Sequence, residues 1–343
     1  MFNRVSVRLL RQVRNASLKT EIGVIGVPFE NGQRKVGVGN APKFLRDAGL
    51  IKSLQKIHDK IDVKDYGDIV YSIDHDISNS VPNMLMYEHM VACTKVLSKQ
   101  VTRVLNDGRI CLTLGGDHSI ALATVDGHLQ AKSDVAVLWI DAHADINTNL
   151  TSDSGNLHGM PVALLAKELS DYWPYLPGMD WQKPVMSIRN IGYIGLRSVD
   201  SFERLLIDNL GITAFGMEEI EKYGIHQCVH MALDRIDPTH TKSLHVSFDI
   251  DSIDSLEAPS TGTPVRGGLT LREGIHLMEI VHKTGRLNAI DLVEVNPSIG
   301  TGHDVALTVS AATHIITAAF GYSRKGLRPK VHDLPIQTPP SSM

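Results

Sequence analysis

Carboxylate and imidazole side chains stand directly after four apolar runs of this chain. Each run is short and rich in aliphatic residues, as is typical of a buried β-strand. In an open α/β sheet, ligands bind outside the carboxyl ends of the strands, so we expect the four motifs to meet at one site. The runs and the residues that follow them are 109–114 with His118, 135–140 with Asp141, His143 and Asp145, 244–248 with Asp249 and Asp251, and 288–293 with Glu294.

The donor set of the first three motifs suggests a pair of metal ions. Four carboxylates packed together would repel one another, and each would be costly to desolvate without a compensating charge. Two divalent cations offset that charge, and a bridging hydroxide then leaves a single negative charge. Oxygen-rich ligation with two imidazoles and no sulfur favours Mn²⁺ over Zn²⁺. Because a two-metal site makes hydroxide available at neutral pH, the pattern indicates a hydrolase.

Each motif taken alone has a plainer interpretation. An Asp-x-His-x-Asp segment is more often a polar loop than a metal site. Segment 249–254 begins like a calcium loop, but Ile253 and Asp254 occupy positions that require Asp or Asn and then Gly. Gly37 and Gly39 lack the third glycine of a dinucleotide fingerprint and indicate a turn. Seven further histidines fit no ligand spacing and are expected to be ordinary surface or core residues: His226, His230, His240, His245, His276, His282 and His303.

The elements that must position these motifs alternate along the chain. Further strands are predicted at 21–27 and 188–194, and the alternation with helical patterns predicts a parallel sheet with helices on both faces. The helical patterns cover 42–56, 84–106, 271–283 and 305–319. No break in composition demands a second domain, so we predict one domain over 21–330 and a flexible tail over 331–343.

The composition excludes several classes of protein. The chain has 343 residues, of which 43% are hydrophobic and 21% charged, so most of it cannot be disordered. Its apolar runs are far shorter than the ~18 residues of a membrane span, so we expect no membrane association. The net charge of −4 argues against nucleic acid as a partner. Cys93, Cys111 and Cys228 are odd in number and widely spaced, which disfavours both a disulfide framework and a thiolate metal site.

The first twenty residues differ in composition from the rest. They carry five basic residues and no acidic one, and Arg4, Arg8 and Arg11 would share one face of a helix. This pattern is typical of a mitochondrial transit peptide, whereas the apolar stretch of a secretory signal is missing. The alternative is a frayed cytosolic terminus. We favour residues 1–20 as a targeting segment for the mitochondrial matrix over a cytoplasmic location.

Three motifs in this order resemble those of the ureohydrolases, the di-manganese enzymes that hydrolyse guanidino groups. They are Gly-Gly-Asp-His-Ser at 115–119, Asp-Ala-His-Ala-Asp at 141–145 and Ser-Phe-Asp-Ile-Asp at 247–251. The resemblance runs from about residue 22 to residue 325. It implies a single three-layer α/β/α domain around a mainly parallel eight-stranded sheet, assembled into a homo-oligomer, either a trimer or a hexamer.

Within the ureohydrolases the chain is most similar to the arginases. Segments 145–148 and 154–161 resemble the arginase region that binds the α-carboxylate and α-amino groups of the substrate. Segments 195–200 and 261–264 also fall where arginases place substrate contacts. The resemblance therefore implies hydrolysis of L-arginine to L-ornithine and urea, by attack of a metal-bridging hydroxide on the guanidinium carbon.

The resemblance also implies roles for individual residues. Asp145 would accept a hydrogen bond from the hydroxide and pass its proton to the leaving amine, and Glu294 would hold the guanidinium. His158, titrating near neutral pH, would shuttle protons to bulk water. Two Mn²⁺ ions per subunit would be bound by His118, Asp141, His143, Asp145, Asp249 and Asp251. The substrate contacts would be His143, Asn147, Ser154, Asn156, Asp200, Glu203, Thr263 and Glu294, with Asp200 facing the α-ammonium group.

Several alternatives stay open. The enzyme could be an agmatinase, whose substrate lacks the α-carboxylate of arginine, or a guanidinobutyrase, or the chain could be a catalytically silent arginine-binding protein. Asp200 and Glu203 also fit the plain start of a helix. The chain departs from the family pattern at Ser252 and Ser255, where Gly and Pro are usual, and at Asn149, which replaces a common Pro. These changes leave the ligands intact and affect the local turns.

Overall fold

One eight-stranded sheet organises the computed structural model, which describes residues 20–73, 81–184 and 186–325. The strands are β1 (Thr20–Gly26), β2 (Ile61–Asp68), β3 (Ile110–Leu114), β4 (Val135–Ile140), β5 (Ile191–Leu196), β6 (Thr213–Gly216), β7 (Ser243–Asp249) and β8 (Leu287–Val293). Their order in the sheet is β2-β1-β3-β8-β7-β4-β5-β6, and every neighbouring pair is parallel.

Helices cover both faces of the sheet. They are α1 (Ala41–Asp47), α2 (Leu50–Gln55), α3 (Tyr87–Asn106), α4 (Ala121–Ala131), α5 (Pro161–Leu165), α6 (Ser201–Leu210), α7 (Met217–Ile236), α8 (Leu271–Thr284) and α9 (Gly302–Ala319). Apolar residues of α1, α2, α7, α8 and α9 join the hydrophobic cluster on one face. Those of α3 to α6 join the cluster on the other face. The arrangement confirms the three-layer α/β/α fold expected from the sequence.

Strand β4 shows why the central strands read as unbroken apolar runs. All six of its residues are buried. Val137 and Trp139 pack into one hydrophobic cluster, whereas Leu138 and Ile140 pack into the other. A strand covered by helices on both faces must be apolar on both, and this removes the polar alternation of a half-exposed strand.

The two strands that sequence patterning missed are the two edges of the sheet. β2 is half-exposed and carries acidic and basic residues, and β6 has only four residues. The helix predicted at 42–56 is two helices, because Gly49 adopts a φ of 85° between them. Helices α4 and α7 were also not predicted, and α7 is broken at Gly224, which has non-helical backbone angles.

Three further expectations concern a membrane span, the targeting segment at 1–20 and the tail at 331–343. Among the described residues, no helix is both long and apolar enough to cross a membrane. The predicted targeting segment lies outside the described residues except for Thr20, and the predicted tail at 331–343 lies outside them entirely.

Candidate metal centre and substrate cleft

The four strands that carry the motifs are the central four of the sheet. β3, β8, β7 and β4 are consecutive neighbours, and because they are parallel their carboxyl ends share one edge. Short 3₁₀ turns follow two of them, at His118–Ile120 after β3 and Ile250–Ser252 after β7. The structure thus brings all six sequence-predicted metal ligands to one edge of the sheet, as expected for an open α/β fold.

Three residues form the first candidate metal position. The ligand atoms of His118, Asp141 and Asp249 all lie within 4.8 Å of one another. His118 Nδ1 is 3.0 Å from Asp141 Oδ2 and 3.3 Å from Asp249 Oδ2. Asp145 Oδ2 also lies 3.0 Å from the same nitrogen, so four side chains converge on this point.

A second position lies beside the first and shares one carboxylate with it. Asp141, His143 and Asp251 form another group with ligand atoms within 4.8 Å of one another. His143 Nδ1 is 3.4 Å from Asp141 Oδ1 and 3.2 Å from Asp251 Oδ2. The two oxygens of Asp141 therefore face different imidazoles, which is the arrangement needed for one carboxylate to bridge two cations.

The electrostatics of the cluster fit two divalent cations. Nδ1 of His118 is buried and, among the described residues, has no partner in hydrogen-bond geometry, although carboxylate oxygens surround it. Burial raises the pKa of Asp249 well above its usual range, and the charges of Asp251 and Asp141 raise it further. Burial and the charge of Asp141 likewise raise the pKa of Asp145 to about 6. Bound cations would remove the cost of ionising these carboxylates.

Neighbouring groups fix the orientation of the ligands. His118 stacks on Trp139 with ring centroids 4.3 Å apart, and its Nε2 lies 2.9 Å from Ser247 Oγ, so Nδ1 is the nitrogen that faces the carboxylates. Trp139 Nε1 donates to Asp141 Oδ2 at 3.1 Å. Thr263 Oγ1 donates to Asp251 Oδ2 at 2.9 Å. Partners of this kind hold ligating side chains in place before the metal arrives.

The two carboxylate oxygens of Glu294 differ in their hydrogen bonding. Oε1 accepts hydrogen bonds from the backbone N–H of His118 at 2.9 Å and lies 2.9 Å from His158 Nδ1. Oε2 is buried and, in the part of the chain that is described, has no hydrogen-bond partner. Because a buried carboxylate oxygen without a donor is costly, this atom is ready to receive a cationic donor.

The pKa of His158 lies above the near-neutral value expected from the sequence. Burial disfavours its charged form, but the charge and hydrogen bond of Glu294 outweigh burial and raise the pKa of His158 to about 9. A titration near neutral pH was expected from the sequence, in which the contact between His158 Nδ1 and the carboxylate of Glu294 is not visible. This pKa favours the imidazolium form of His158 at pH 7, paired with Glu294.

A cleft of about 270 Å³ opens next to the metal ligands. Asn147 Nδ2 donates to Asp200 Oδ2 at 2.9 Å, and Asn147 Oδ1 accepts from Thr151 Oγ1 at 2.8 Å. Ser154 lies on the exposed rim, where its Oγ accepts from the backbone of Asn156. The predicted substrate contacts that line this cleft are His143, Asn147, Ser154, Asn156, Asp200, Glu203 and Thr263.

Both carboxylate oxygens of Glu203 accept hydrogen bonds from backbone N–H groups. Its Oε1 accepts from the N–H of Ile146 at 3.1 Å and its Oε2 from the N–H of Asp200 at 2.9 Å. These two hydrogen bonds join the loop after β4 to the start of α6. Burial raises the pKa of Glu203 to about 7. Both Asp200 and Glu203 therefore belong to the start of α6, as the alternative states, and both also line the cleft.

Sequence reasoning missed several residues that hold the site in place. Asp117 accepts from the backbone N–H of Gly32 at 2.7 Å, which ties the loop after β1 to the end of β3. Ser247 contacts both His118 and Asp291. Asp117 stands inside the Gly-Gly-Asp-His motif, and Ser247 precedes Asp249 on the same face of β7. Their proximity to predicted ligands was the available signal.

Gly116, just after β3, packs so closely against the backbone of Phe29 that a side chain there should destabilise the fold. A Cβ atom there would lie 1.7 Å from the backbone oxygen of Phe29, and backbone cannot move as a side-chain tip can. We expect Gly116→Ala to lower the free energy of unfolding by about 3 kcal/mol or more, at the upper end of overpacking costs. Calorimetric melting of the variant measures this loss. Gly302→Ala is the matched control, because its added Cβ would meet no described atom within 4 Å beyond its chain neighbours and the backbone of its own helix. Equal melting of the two variants would contradict the prediction.

Comparison with known proteins identifies relatives along most of the chain. The sequence profile of the family described as "Arginase family" matches residues 20–321. The chain is 41% identical over 344 residues to "Arginase-2, mitochondrial" of Homo sapiens, which covers 97% of this chain and 95% of that protein. It is 44% identical over 308 residues to "Arginase-1" of Homo sapiens, which covers 89% of this chain and 94% of that protein.

A solved structure shares the same architecture. The structure of arginase from Bacillus caldovelox matches with a TM-score of 0.79 at 32% identity, covering 89% of this chain and 99% of that one. The similarity therefore extends over the described sheet and its helices, including the central strands that carry the site.

Proposed function

The chain belongs to the arginase family, and from this premise we propose that its site binds two Mn²⁺ ions and hydrolyses L-arginine to L-ornithine and urea. The observation that carries the substrate class is the unpaired Oε2 of Glu294 beside the ligand cluster. A guanidinium group offers planar pairs of N–H donors that match a carboxylate. The arginase activity is favoured over the agmatinase and guanidinobutyrase alternatives, and the convergence of all six ligands argues against a silent binding protein.

The ligands divide between the two candidate positions. His118, Asp141 and Asp249 with Asp145 would hold one ion, and Asp141, His143 and Asp251 the other. When bound, the ions supply Lewis acidity, which lowers the pKa of water toward neutrality. Manganese is proposed because carboxylate oxygens outnumber imidazole nitrogens and no thiolate is present in the set.

The protein's own groups orient the substrate and move protons. Glu294 would hold the guanidinium through Oε2, while its Oε1 stays fixed by His158 and the backbone N–H of His118. Asp145 would accept a proton from water at a carboxylate oxygen and pass it to the leaving amine. Holding the reacting groups in a fixed geometry removes an entropic cost from the reaction.

The amino-acid end of arginine would bind along the outer part of the cleft. Asn147, Ser154 and Asn156 supply polar groups for the α-carboxylate, and Asp200 supplies a negative charge for the α-ammonium. Asp200 already orients the amide of Asn147, so the two residues act as one recognition unit. Agmatine lacks the α-carboxylate, and this difference provides the test.

Urea release from L-arginine and agmatine, measured side by side with manganese-loaded protein, tests the proposal. We expect a strong preference for arginine. In Asp200→Ala, kcat/KM for arginine should fall about 10- to 100-fold, because a hydrogen bond to a charged group contributes about 1.5–3 kcal/mol. Asp208→Ala is the control, since this exposed aspartate on α6 pairs with Arg204 and does not line the cleft. A preference for agmatine would overturn the substrate assignment and leave the metal chemistry intact.

Location and assembly extend the proposal. We infer a mitochondrial location, supported by the names of mitochondrial relatives and by the basic, acid-free composition of residues 1–20. A homo-oligomer, either a trimer or a hexamer, stays a prediction that size-exclusion chromatography with light scattering would test.

A further inference from the structure

Three histidines on two adjacent helices lie together, away from the sheet edge that carries the catalytic site. His226 and His230 are one helical turn apart on α7, and His276 is on α8. The ring of His226 lies 4.7 Å from that of His230 and 5.4 Å from that of His276, measured between centroids. In the sequence these histidines fit no ligand spacing. Positions i and i+4 nevertheless share one face of a helix, and only the fold shows that α8 packs against α7.

Two of the imidazoles face each other through nitrogen atoms. His226 Nδ1 lies 3.2 Å from His276 Nε2. Two nitrogens bound to one tetrahedral Zn²⁺ at ~2.0–2.1 Å are about 3.3 Å apart. The observed separation therefore suits a shared cation without movement of either helix.

The second nitrogen of His276 is supported by a carboxylate. His276 Nδ1 lies 3.3 Å from Glu279 Oε2, and Glu279 is held in turn by two hydrogen bonds from Arg324, at 2.9 and 2.8 Å. A proton on Nδ1 that is donated to Glu279 leaves the lone pair of Nε2 directed at His226. This carboxylate–histidine pairing is the usual outer support of a metal-binding imidazole.

His230 faces an open cleft of about 750 Å³ between α7 and α8. Burial and the neighbouring His226 lower the pKa of His230, which keeps its imidazole neutral at pH 7. In the described conformation the nitrogens of the three histidines do not all lie within 4.8 Å of one another, so His230 would join the facing pair after rotation about its side-chain torsions. Asp234, one turn further along α7, lines the same cleft and offers an oxygen ligand.

We propose that His226, His230 and His276 form a second, peripheral site for a divalent cation of the zinc class. Imidazole donors suit Zn²⁺, Ni²⁺ and Cu²⁺, whereas the carboxylate-rich catalytic site suits Mn²⁺. The two sites thus differ in the metal that they select. A cation here would link α7 to α8 by bonds to side chains of both helices.

Zinc binding by the manganese-loaded full chain tests this site. Zn²⁺ is titrated against a chromophoric chelator, and zinc and manganese in the protein are both measured by mass spectrometry after desalting. We expect one Zn²⁺ per chain to bind without release of manganese. His226→Gln and His276→Gln should each weaken this binding more than ~10-fold, and Glu279→Gln should weaken it ~10-fold or more because the support of His276 is lost.

The matched control is His303→Gln, which removes an exposed histidine from the start of α9. It should bind zinc as the wild type does, and all four variants should hydrolyse arginine at the wild-type rate, because none of these residues lines the catalytic cleft. Equal zinc affinity in His276→Gln and the wild type would overturn the proposal. Zinc uptake matched by an equal release of manganese would also overturn it, because the zinc would then occupy the catalytic site.

Discussion

We expect Glu294→Gln to lower kcat/KM for L-arginine by roughly two to three orders of magnitude. The substitution keeps an Oε1 that can accept from the backbone N–H of His118, but it removes the charge offered to the guanidinium. Removing one partner of a buried ion pair costs about 3–5 kcal/mol, and each 1.4 kcal/mol is about a factor of ten. Steady-state urea release at saturating manganese measures the loss.

Two controls make this result specific. The manganese content of Glu294→Gln should match that of the wild type, because Glu294 belongs to neither group of candidate ligands. Glu221→Gln, at an exposed position on α7, should leave activity unchanged. Activity near the wild-type level in Glu294→Gln would mean that another residue holds the guanidinium.

The second large effect is expected for Asp141→Asn. Asp141 is the one residue common to both candidate metal positions, so its substitution weakens two sites at once. Loss of an outer support typically costs 10- to 100-fold in metal affinity, and loss of a shared ligand should cost more than ~100-fold. Manganese per chain, measured by mass spectrometry after desalting, should fall from about two to below one, and urea release should be abolished.

Thermal melting separates metal loss from misfolding. Wild-type protein should melt at a lower temperature after chelation, because cations that bind only the folded state stabilise it. Burial raises the pKa of Asp141, but the hydrogen bonds and charges of His118 and His143 outweigh burial and hold that pKa well below its usual range. The ionised carboxylate therefore stabilises the metal-free fold, so metal-free Asp141→Asn should still unfold cooperatively but at a lower temperature than the metal-free wild type. Asp208→Asn serves as the control and should bind manganese normally. Two retained manganese ions in Asp141→Asn would contradict the bridging role.

The central strands of the sheet were predictable from the sequence, whereas its two edge strands were not. Strands such as β4 and β7 are buried on both faces, so their apolar runs are unambiguous. β2 lies at an edge and is half-exposed, which dilutes the apolar signal. Chain order also could not reveal that β3 and β8 are neighbours, because that pairing depends on tertiary packing.

The candidate site, too, was predictable only in part. Residue types and spacing were enough to group the six ligands, because parallel strands deliver their carboxyl ends to one edge. The contacts of individual side chains were not accessible in this way. The use of both Glu203 oxygens by backbone N–H groups and the pairing of His158 with Glu294 depend on distances between elements far apart in sequence.

The position of β7 and β8 in the sheet has a consequence for biosynthesis. The first six strands form two separate three-stranded groups, β2-β1-β3 and β4-β5-β6, and only the last two strands fill the gap between them. A nascent chain that has emerged only through β6 therefore exposes the unpaired edges of β3 and β4, which are both apolar. Pairings of such long sequence separation form slowly and leave edges open to aggregation. Asp249, Asp251 and Glu294 are also made after the other residues of the site, so the candidate site is complete only once β7 and β8 have joined the sheet.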